Sequence, residues 1–109
     1  DLRLKENVKD FNSGLDIISK LQPKTFNFKN QTEHLAGTRR GFIAQEVKSV
    51  DNYWIDEIEI QESNPDYKYV KDTEGQSFVS KLNDKDAMYV SAIQELKREI
   101  DELKLKIGE

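Results

Sequence analysis

The chain has 109 residues, of which 36% are apolar and 35% are charged, so it is long enough for one hydrophobic core and too short for two. With 21 acidic and 17 basic residues it carries a net charge of −4, which argues against a nucleic-acid-binding protein. The absence of cysteine excludes disulfide and thiol chemistry, and no apolar run approaches the roughly 20 residues that a membrane span requires.

The first eight residues alternate apolar and charged side chains. In an extended chain Leu2, Leu4 and Val8 would face one side, and Arg3 and Lys5 the other. A period of two predicts a short, half-buried strand or an extended arm at the N-terminus.

A helix and a strand are predicted next. Apolar residues at positions 15, 17, 18 and 21 have helical spacing, Ser13 is a suitable N-cap, and Pro23 ends the helix. The alternation of aromatic and polar residues over 25–29 predicts a strand whose two phenylalanines, Phe26 and Phe28, face the core.

The middle of the chain is predicted to contain short strands around one helix. Residues 30–40 are polar and predict a loop, which contains the single histidine, His34, in an exposed setting. Residues 41–50 begin apolar and then place Ile43, Val47 and Val50 on one helical face, which predicts a strand end followed by a short helix. The remaining predicted strands are 53–60, 67–70 and 78–79, with turns at 64–66 and 73–75.

The last third of the chain has a heptad pattern. From Asp84 onward no glycine or proline occurs until Gly108, and apolar residues recur in alternating steps of four and three. The a positions are Ile93, Ile100 and Ile107, and the d positions are Leu96 and Leu103. Because so narrow a stripe needs a partner helix to cover it, self-association through a coiled coil is favoured over packing of the stripe on its own domain.

The predicted fold class is therefore α+β. Residues 1–81 form a small mixed domain of short strands and helices, and residues 82–109 form a long helix in a coiled coil. Isoleucine at a with leucine at d favours a dimer in isolated parallel coiled coils.

Two short segments resemble a known family. Asp1, Arg3, Lys5 and Val8 fill every place except the first of the motif Ser-Asp-x-Arg-x-Lys-x-x-Ile, with valine in the last place, and residues 41–47 read Gly-Phe-Ile-Ala-Gln-Glu-Val. Together with residues 14–21 and the C-terminal heptads, they are similar to the self-cleaving intramolecular chaperone domain (peptidase S74) of phage tailspikes, tail fibres and neck appendages. The resemblance implies a trimer rather than a dimer, because a folded domain at the head of so short a coil can set its stoichiometry.

The resemblance also implies where the precursor is cut. The family cleaves between the serine and the aspartate of the motif, and this chain begins at that aspartate rather than at a methionine, so we expect it to be the released product. On that expectation the missing serine is the nucleophile, Lys5 is the base, and Asp1 is the first residue after the cut. Arg3 matches the motif without an assigned role. Gln45 either orients the cleavage site or is an ordinary surface residue, and Glu46 is expected to be simply exposed.

The spacing of the motif constrains the geometry of such a serine-lysine pair. A serine hydroxyl cuts a peptide bond when a base takes its proton, and lysine serves when burial leaves its amine neutral. A fully extended chain would place Lys5 roughly 16 Å from the missing serine, whereas their hydrogen bond needs about 3 Å. The chain therefore either folds back over residues 1–3 or uses the lysine of a neighbouring subunit, and we expect the second.

Two classes of function remain from the sequence. The resemblance implies a homotrimeric chaperone that registers an upstream fibre or tailspike segment of the same precursor and then releases itself in the host cytoplasm during virion assembly. The released domain would be absent from the mature virion or only loosely held by it. The alternative is a non-catalytic trimerisation or attachment module of a fibrous protein. Neither class needs a cofactor or a metal, and only the first requires a product that begins at Asp1.

Overall fold

The computed structural model describes residues 1–32 and 35–108, and this part of the chain contains four α-helices and four β-strands. The helices are α1 (Gly14–Lys20), α2 (Ala44–Val50), α3 (Tyr67–Val70) and α4 (Asp84–Ile107). The strands are β1 (Lys24–Phe26), β2 (Arg39–Gly41), β3 (Ile55–Glu59) and β4 (Gln76–Ser80). The predicted mixture of short elements followed by a long helix is confirmed. The prediction for His34 lies outside the described residues.

The strands form two separate two-stranded antiparallel sheets. β1 pairs with β2, with Thr25 opposite Arg40, and β3 pairs with β4, with Glu57 opposite Phe78. A two-stranded sheet has marginal stability in water, so each of the two sheets needs a helix packed against it. The helix α4 packs on β2, and α2 packs on both β3 and β4.

One small hydrophobic core lies between the helices and the two sheets. Its buried side chains are Leu21, Phe42, Val47, Ala87 and Val90. Val47 is the most completely buried of them, at 1% exposure, as its place on the predicted apolar face of α2 requires. Two of the five side chains come from α4, so the first turns of that helix belong to the globular part of the molecule.

The start of α4 is fixed by its own sequence. The Asn83 side chain accepts hydrogen bonds from the backbone N–H groups of Lys85 (3.0 Å) and Asp86 (3.4 Å). The Asp86 carboxylate accepts in return from the backbone N–H of Asn83, at 2.9 Å. This reciprocal capping box satisfies N–H groups that have no partner within the helix.

A glutamine side chain ties α4 to the end of α1. The Gln94 amide nitrogen donates to the backbone carbonyls of Ile18 (2.7 Å) and Leu21 (2.8 Å). The last carbonyls of a helix lack intrahelical partners, so this contact both ends α1 and fixes it against α4. No sequence pattern distinguishes Gln94 from a surface residue, and the contact was not predicted.

The N-terminal strand prediction is wrong. Residues Leu2–Leu4 form a single 3-10 turn, and the following stretch as far as Ser13 has no regular secondary structure. Leu2 and Leu4 are 74% and 86% exposed, so no sheet or core covers the alternating apolar side. The alternation needs a neighbouring strand to become a strand itself, and the described residues provide none there.

The strand predicted over 67–70 is also wrong, because that segment is the short helix α3. The turn before it decides the outcome: the Asn64 side chain accepts from the backbone N–H of Asp66 at 2.8 Å, and the Asn64 carbonyl accepts from that of Tyr67 at 3.0 Å. These bonds wind the chain into a helical turn and override the strand-like spacing of the two tyrosines.

Two other strand predictions hold only in part. The segment predicted over 53–60 begins with a 3-10 turn, Asn52–Trp54, because the Asp51 carboxylate accepts from the backbone N–H of Tyr53 at 3.1 Å, and only Ile55–Glu59 is a strand. β1 ends at Phe26, so Phe28 lies beyond it and remains 39% exposed against the edge of the Phe26 ring. The predicted core position of Phe28 is therefore wrong.

The tight connection before β4 depends on Gly75. Its φ is +86°, and a β-carbon there would collide with the backbone carbonyl of Ile60. We expect Gly75→Ala to destabilise the fold by more than about 1 kcal/mol, because both the left-handed backbone and the carbonyl contact oppose it. Thermal unfolding at fixed chain concentration measures the effect.

Gly37 supplies the matched control for that substitution. Its φ is +88°, but among the described residues, its two chain neighbours aside, no atom lies within 4 Å of the position that a β-carbon would occupy. Gly37→Ala therefore carries the backbone cost without the collision, and it should lower the unfolding temperature less than Gly75→Ala. Equal effects of the two substitutions would show that the contact with Ile60 is unimportant.

The chain exposes far more surface than a compact monomer of its size. Its accessible surface is 9128 Å², and the scaling for folded monomers gives about 6,200 Å². Its radius of gyration is 18.5 Å, against about 13 Å for a compact domain of this length. The excess belongs to the projecting end of α4 and to the N-terminal segment, whose large apolar side chains are uncovered. No helix of the described residues is both long and apolar enough to cross a membrane.

Candidate functional site

The predicted cleavage site lies on the 3-10 turn at the N-terminus. The backbone N–H of Leu4 donates to the carbonyl of Asp1, and that of Lys5 donates to the carbonyl of Leu2, both at 3.1 Å. The Asp1 carboxylate also accepts from the backbone N–H of Arg3 at 2.9 Å, as a capping side chain does. The first residue after the predicted cut therefore starts an ordered turn.

The guanidinium group of Arg3 donates hydrogen bonds to the same carboxylate. Its Nη2 lies 2.6 Å from Asp1 Oδ2 and its Nε lies 3.1 Å from Asp1 Oδ1, which is a two-point contact. The Arg3 side chain is 88% exposed, so the pair contributes under about 1 kcal/mol to stability. What the contact does is orient Asp1, and this gives Arg3 a structural role that the sequence did not assign.

Lys5 leaves the turn in an extended conformation and is exposed. Its amine has no hydrogen-bond or ion-pair partner among the described residues. A 3-10 turn rises only about 2.0 Å per residue, so the three residues Leu2–Leu4 make this segment shorter than a fully extended chain would be. The expectation of a fully extended arm is therefore wrong over residues 2–4, and the use of a lysine from a neighbouring subunit stays a prediction.

The second motif, residues 41–47, lies at the junction between β2 and α2. Gly41 is buried beside the Phe26 ring, which would lie 3.1 Å from an added β-carbon, and Phe42 and Val47 are core side chains. The apolar half of the motif therefore serves the fold. Gln45 is exposed on the first turn of α2.

Glu46 differs from its predicted setting. It is half-buried, and its Oε1 atom is shielded from solvent with no hydrogen-bond partner among the described residues. A carboxylate oxygen that is shielded from water without a donor is costly in free energy, so Glu46 is not the simply exposed side chain that the sequence predicted.

The two motifs remain apart in the single chain. Asp1, Arg3 and Lys5 share one turn, whereas Gln45 and Glu46 lie on α2, and no hydrogen bond or ion pair of the described residues joins the two groups. In residues 1–32 and 35–108, no three histidine, aspartate or glutamate side chains are grouped so that they could hold a metal ion.

Comparison with known families decides what these motifs belong to. The sequence profile of Peptidase_S74, described as chaperone of endosialidase, matches residues 1–58, which is more than half of the chain and includes both motifs. The chain belongs to the Peptidase_S74 family.

One curated relative aligns with the whole of this Peptidase_S74 chain. The chain is 30% identical over 111 residues to a probable tail fiber protein of Escherichia phage Phieco32. The aligned region covers 100% of this chain and 14% of that protein, so the chain spans only a small part of the relative's length.

The heptad stripe of this Peptidase_S74 chain lies on α4, beyond the residues that the family profile matches. Ile93 is half-buried beside α1, and the later stripe residues are exposed: Leu96, Ile100, Leu103 and Ile107. Their own domain therefore leaves the later stripe uncovered, contrary to the alternative that it packs there. An ion pair lies along the exposed helix, with Lys97 Nζ 2.8 Å from Asp101 Oδ2, and this hydrogen bond lowers the pKa of Asp101 below its usual 3.8.

Proposed function

We propose that this chain is an intramolecular chaperone of a phage fibre protein, which trimerises, holds three upstream segments in register and is then released by self-cleavage between an upstream serine and Asp1. The family assignment and the tail fiber relative support the chaperone role. The observation that carries the proposal is the N-terminal turn, because it brings the cleavage motif Asp1, Arg3 and Lys5 together at one exposed end of the chain.

The trimer is supported by the uncovered surface. The chain exposes about 2,900 Å² more than a compact monomer of its mass. In a ring-shaped trimer each subunit contributes two patches, and a specific interface needs about 800 Å² from each partner, or about 1,600 Å² in all. The excess is therefore large enough to supply both patches, and the exposed stripe on α4 gives them an apolar centre.

The chaperone role answers a physical problem of long fibres. Their strands pair with distant residues or with other chains, and such pairings form slowly and slip easily in register. A small trimer that assembles first holds the three upstream chains at a high effective concentration and starts them from one common point. Cleavage afterwards makes the assembly irreversible, so that the fibre persists for kinetic reasons.

The chemistry of release follows from the residue types. The Lys5 amine takes the proton of the serine hydroxyl, and the serine oxygen attacks the carbonyl carbon of a Ser-Asp bond. The amine of Asp1 leaves with a proton, and water hydrolyses the ester that remains. A serine that attacked its own carbonyl would close a small, strained ring, so the attacked bond belongs to a neighbouring chain. The base is the Lys5 of a neighbouring subunit, as the sequence predicts, or the Lys5 of the same chain if the chain folds back at residues 1–3; in both cases attack occurs between chains.

This arrangement makes cleavage depend on assembly. Attack between chains requires at least two copies, and Lys5 must lose its contact with water to act as a base. Lys5 is exposed in the single chain, so a neighbouring subunit has to supply the cover. The proposed setting is the host cytoplasm during virion assembly, with the released domain absent from the mature virion or only loosely held by it.

The test is a longer chain that carries the upstream segment with serine before Asp1. Intact mass and gel analysis of the wild-type chain should show a fragment that begins at Asp1, and replacement of the upstream serine by alanine should leave the chain whole. Light scattering on both samples should report a trimer. An uncut wild-type chain that still assembles would contradict self-cleavage and leave a non-catalytic trimerisation or attachment module.

A further inference from the structure

An open apolar groove runs between α1 and α4. Its volume is about 240 Å³, and the side chains that line it include Ile17, Ile18, Trp54, Leu82, Tyr89 and Ile93. Its lining is mainly apolar, and the one charged residue on its wall, Asp86, is engaged with the backbone of Asn83. Such a surface in contact with water is unfavourable, so the groove is suited to an apolar occupant.

The N-terminal arm, which we define as residues 1–12, carries apolar side chains without a place to bury them. Leu2, Leu4, Val8 and Phe11 are all at least 66% exposed, and Leu4 at 86% is the most exposed large apolar side chain of the described residues. Phe11 stands at the rim of the groove, yet the rest of the arm leaves the groove open in the single chain. The chain thus presents an uncovered arm and an unfilled groove at the same time.

The groove is continuous with the predicted helix seam. Tyr89 and Ile93 line the groove, and they are also the first two apolar positions of the heptad stripe. Two copies of the chain that associate along this stripe would therefore each lie next to the groove of the other. The excess accessible surface of the chain, about 2,900 Å², is larger than the roughly 1,600 Å² that two interfaces of ordinary size bury on one subunit. Contacts outside the heptad stripe can therefore bury part of this surface.

We propose that in the assembled protein the arm of one subunit packs its apolar side chains into the α1–α4 groove of a neighbouring copy. This proposal rests on the trimer of the proposed function. The occupant is a second copy and not the chain's own arm, because Val8 stays 66% exposed although only two residues separate it from Phe11, which lines the groove.

Arm exchange would also supply the cover that Lys5 lacks. Lys5 lies between Leu4 and Val8, so an arm that is seated on a neighbour loses water around its amine as well as around its apolar side chains. Self-cleavage would then wait for assembly, whichever subunit supplies the lysine.

Cysteine cross-linking tests the exchange, and the natural chain contains no cysteine to interfere. The variant Val8→Cys with Ile17→Cys places one thiol on the arm and one in the groove. Equal amounts of unlabelled and heavy-isotope-labelled chains are mixed, unfolded, refolded together and oxidised, and the cross-linked peptides are identified by mass spectrometry. The control combines Val8→Cys with Lys68→Cys, an exposed position on the remote helix α3.

We expect disulfides between differently labelled chains at a yield at least about tenfold above the control, because a seated arm holds the two thiols at an effective concentration on the order of millimolar. Tyr89→Cys, at an exposed groove position, replaces Ile17→Cys if that variant does not fold. Disulfides only within one chain would show that the arm fills its own groove and would overturn the proposal. A yield no higher than the control would overturn it as well.

The oligomeric state of the same samples separates this proposal from the one on which it rests. A trimer by light scattering without interchain disulfides would contradict arm exchange and leave the trimer intact. A monomer at high concentration would contradict the trimer, and arm exchange with it.

Discussion

Replacement of Lys5 by alanine in the longer, serine-containing chain is expected to stop self-cleavage on the timescale at which the wild-type chain is fully processed. Removal of a general base typically slows a reaction about 10²–10⁴-fold, and no other lysine of the turn is available to replace it. Lys5 is exposed, and its amine has no hydrogen-bond or ion-pair partner within the described part of the chain, so its removal should leave the fold unchanged. The rate is measured as the fraction of cut chain against time on gels.

Two control variants separate base catalysis from charge. Lys5→Arg keeps the positive charge, but arginine is not deprotonated in proteins, so this variant should be as slow as Lys5→Ala. Lys9→Ala removes a second exposed lysine from the same arm and should cleave at the wild-type rate. Full cleavage by Lys5→Arg would show that Lys5 supplies charge and not proton transfer, and full cleavage by Lys5→Ala would remove it from the site.

Each of these variants should also be assayed for assembly. An unchanged trimer together with lost cleavage places the defect in the chemistry, whereas loss of both would show that Lys5 acts through the assembled arm. A rate that rises with pH would be the further mark of a lysine base, since only the neutral amine accepts the serine proton.

Leu103→Ala is expected to weaken the proposed trimer strongly. Truncation of a buried leucine costs about 2–5 kcal/mol, and a trimer loses that amount at each of its three copies. The chain concentration at which half of the protein is assembled should therefore rise about 100-fold or more. Leu103 is 56% exposed in the single chain, so the cost falls on assembly and not on the fold of the subunit.

Leu105 provides a matched control on the same turn of α4. It is also a leucine, it is 71% exposed, and it lies outside the a and d positions of the heptad. Leu105→Ala should leave the assembly midpoint almost unchanged. Analytical ultracentrifugation over a concentration series measures both variants. Equal effects of the two would show that the stripe does not form the contact between helices, and no effect of either would remove α4 from the interface.

The elements that the sequence predicted well are those held by nearby residues. The beginning of α4 follows from the Asn83 capping box, and α1 and α2 follow from apolar spacing within seven residues each. β4 was likewise found from its local composition. The strand prediction failed at residues 67–70, because the hydrogen bonds made by Asn64 favour a helical turn over the strand that the spacing of the two tyrosines predicts.

The sequence named candidate residues for the site, which stay a prediction, and it did not predict their local geometry. The motif picked out Asp1, Arg3 and Lys5, but an extended arm was expected where the Asp1 carboxylate starts a 3-10 turn. The pairing of Arg3 with Asp1 spans two residues and depends on that turn. Because the sequence analysis expected an extended arm, it could not predict the contact between Arg3 and Asp1.

The sequence by itself determined the family, the heptad stripe and the long helix, because motifs and periodicity depend only on the order of residues in the chain. The tertiary structure alone decided that Gln94 holds the end of α1, that Glu46 has a shielded oxygen without a partner, and that an apolar groove opens between α1 and α4. Each of these features arises where segments far apart in sequence meet, and such contacts are set by packing and not by local spacing.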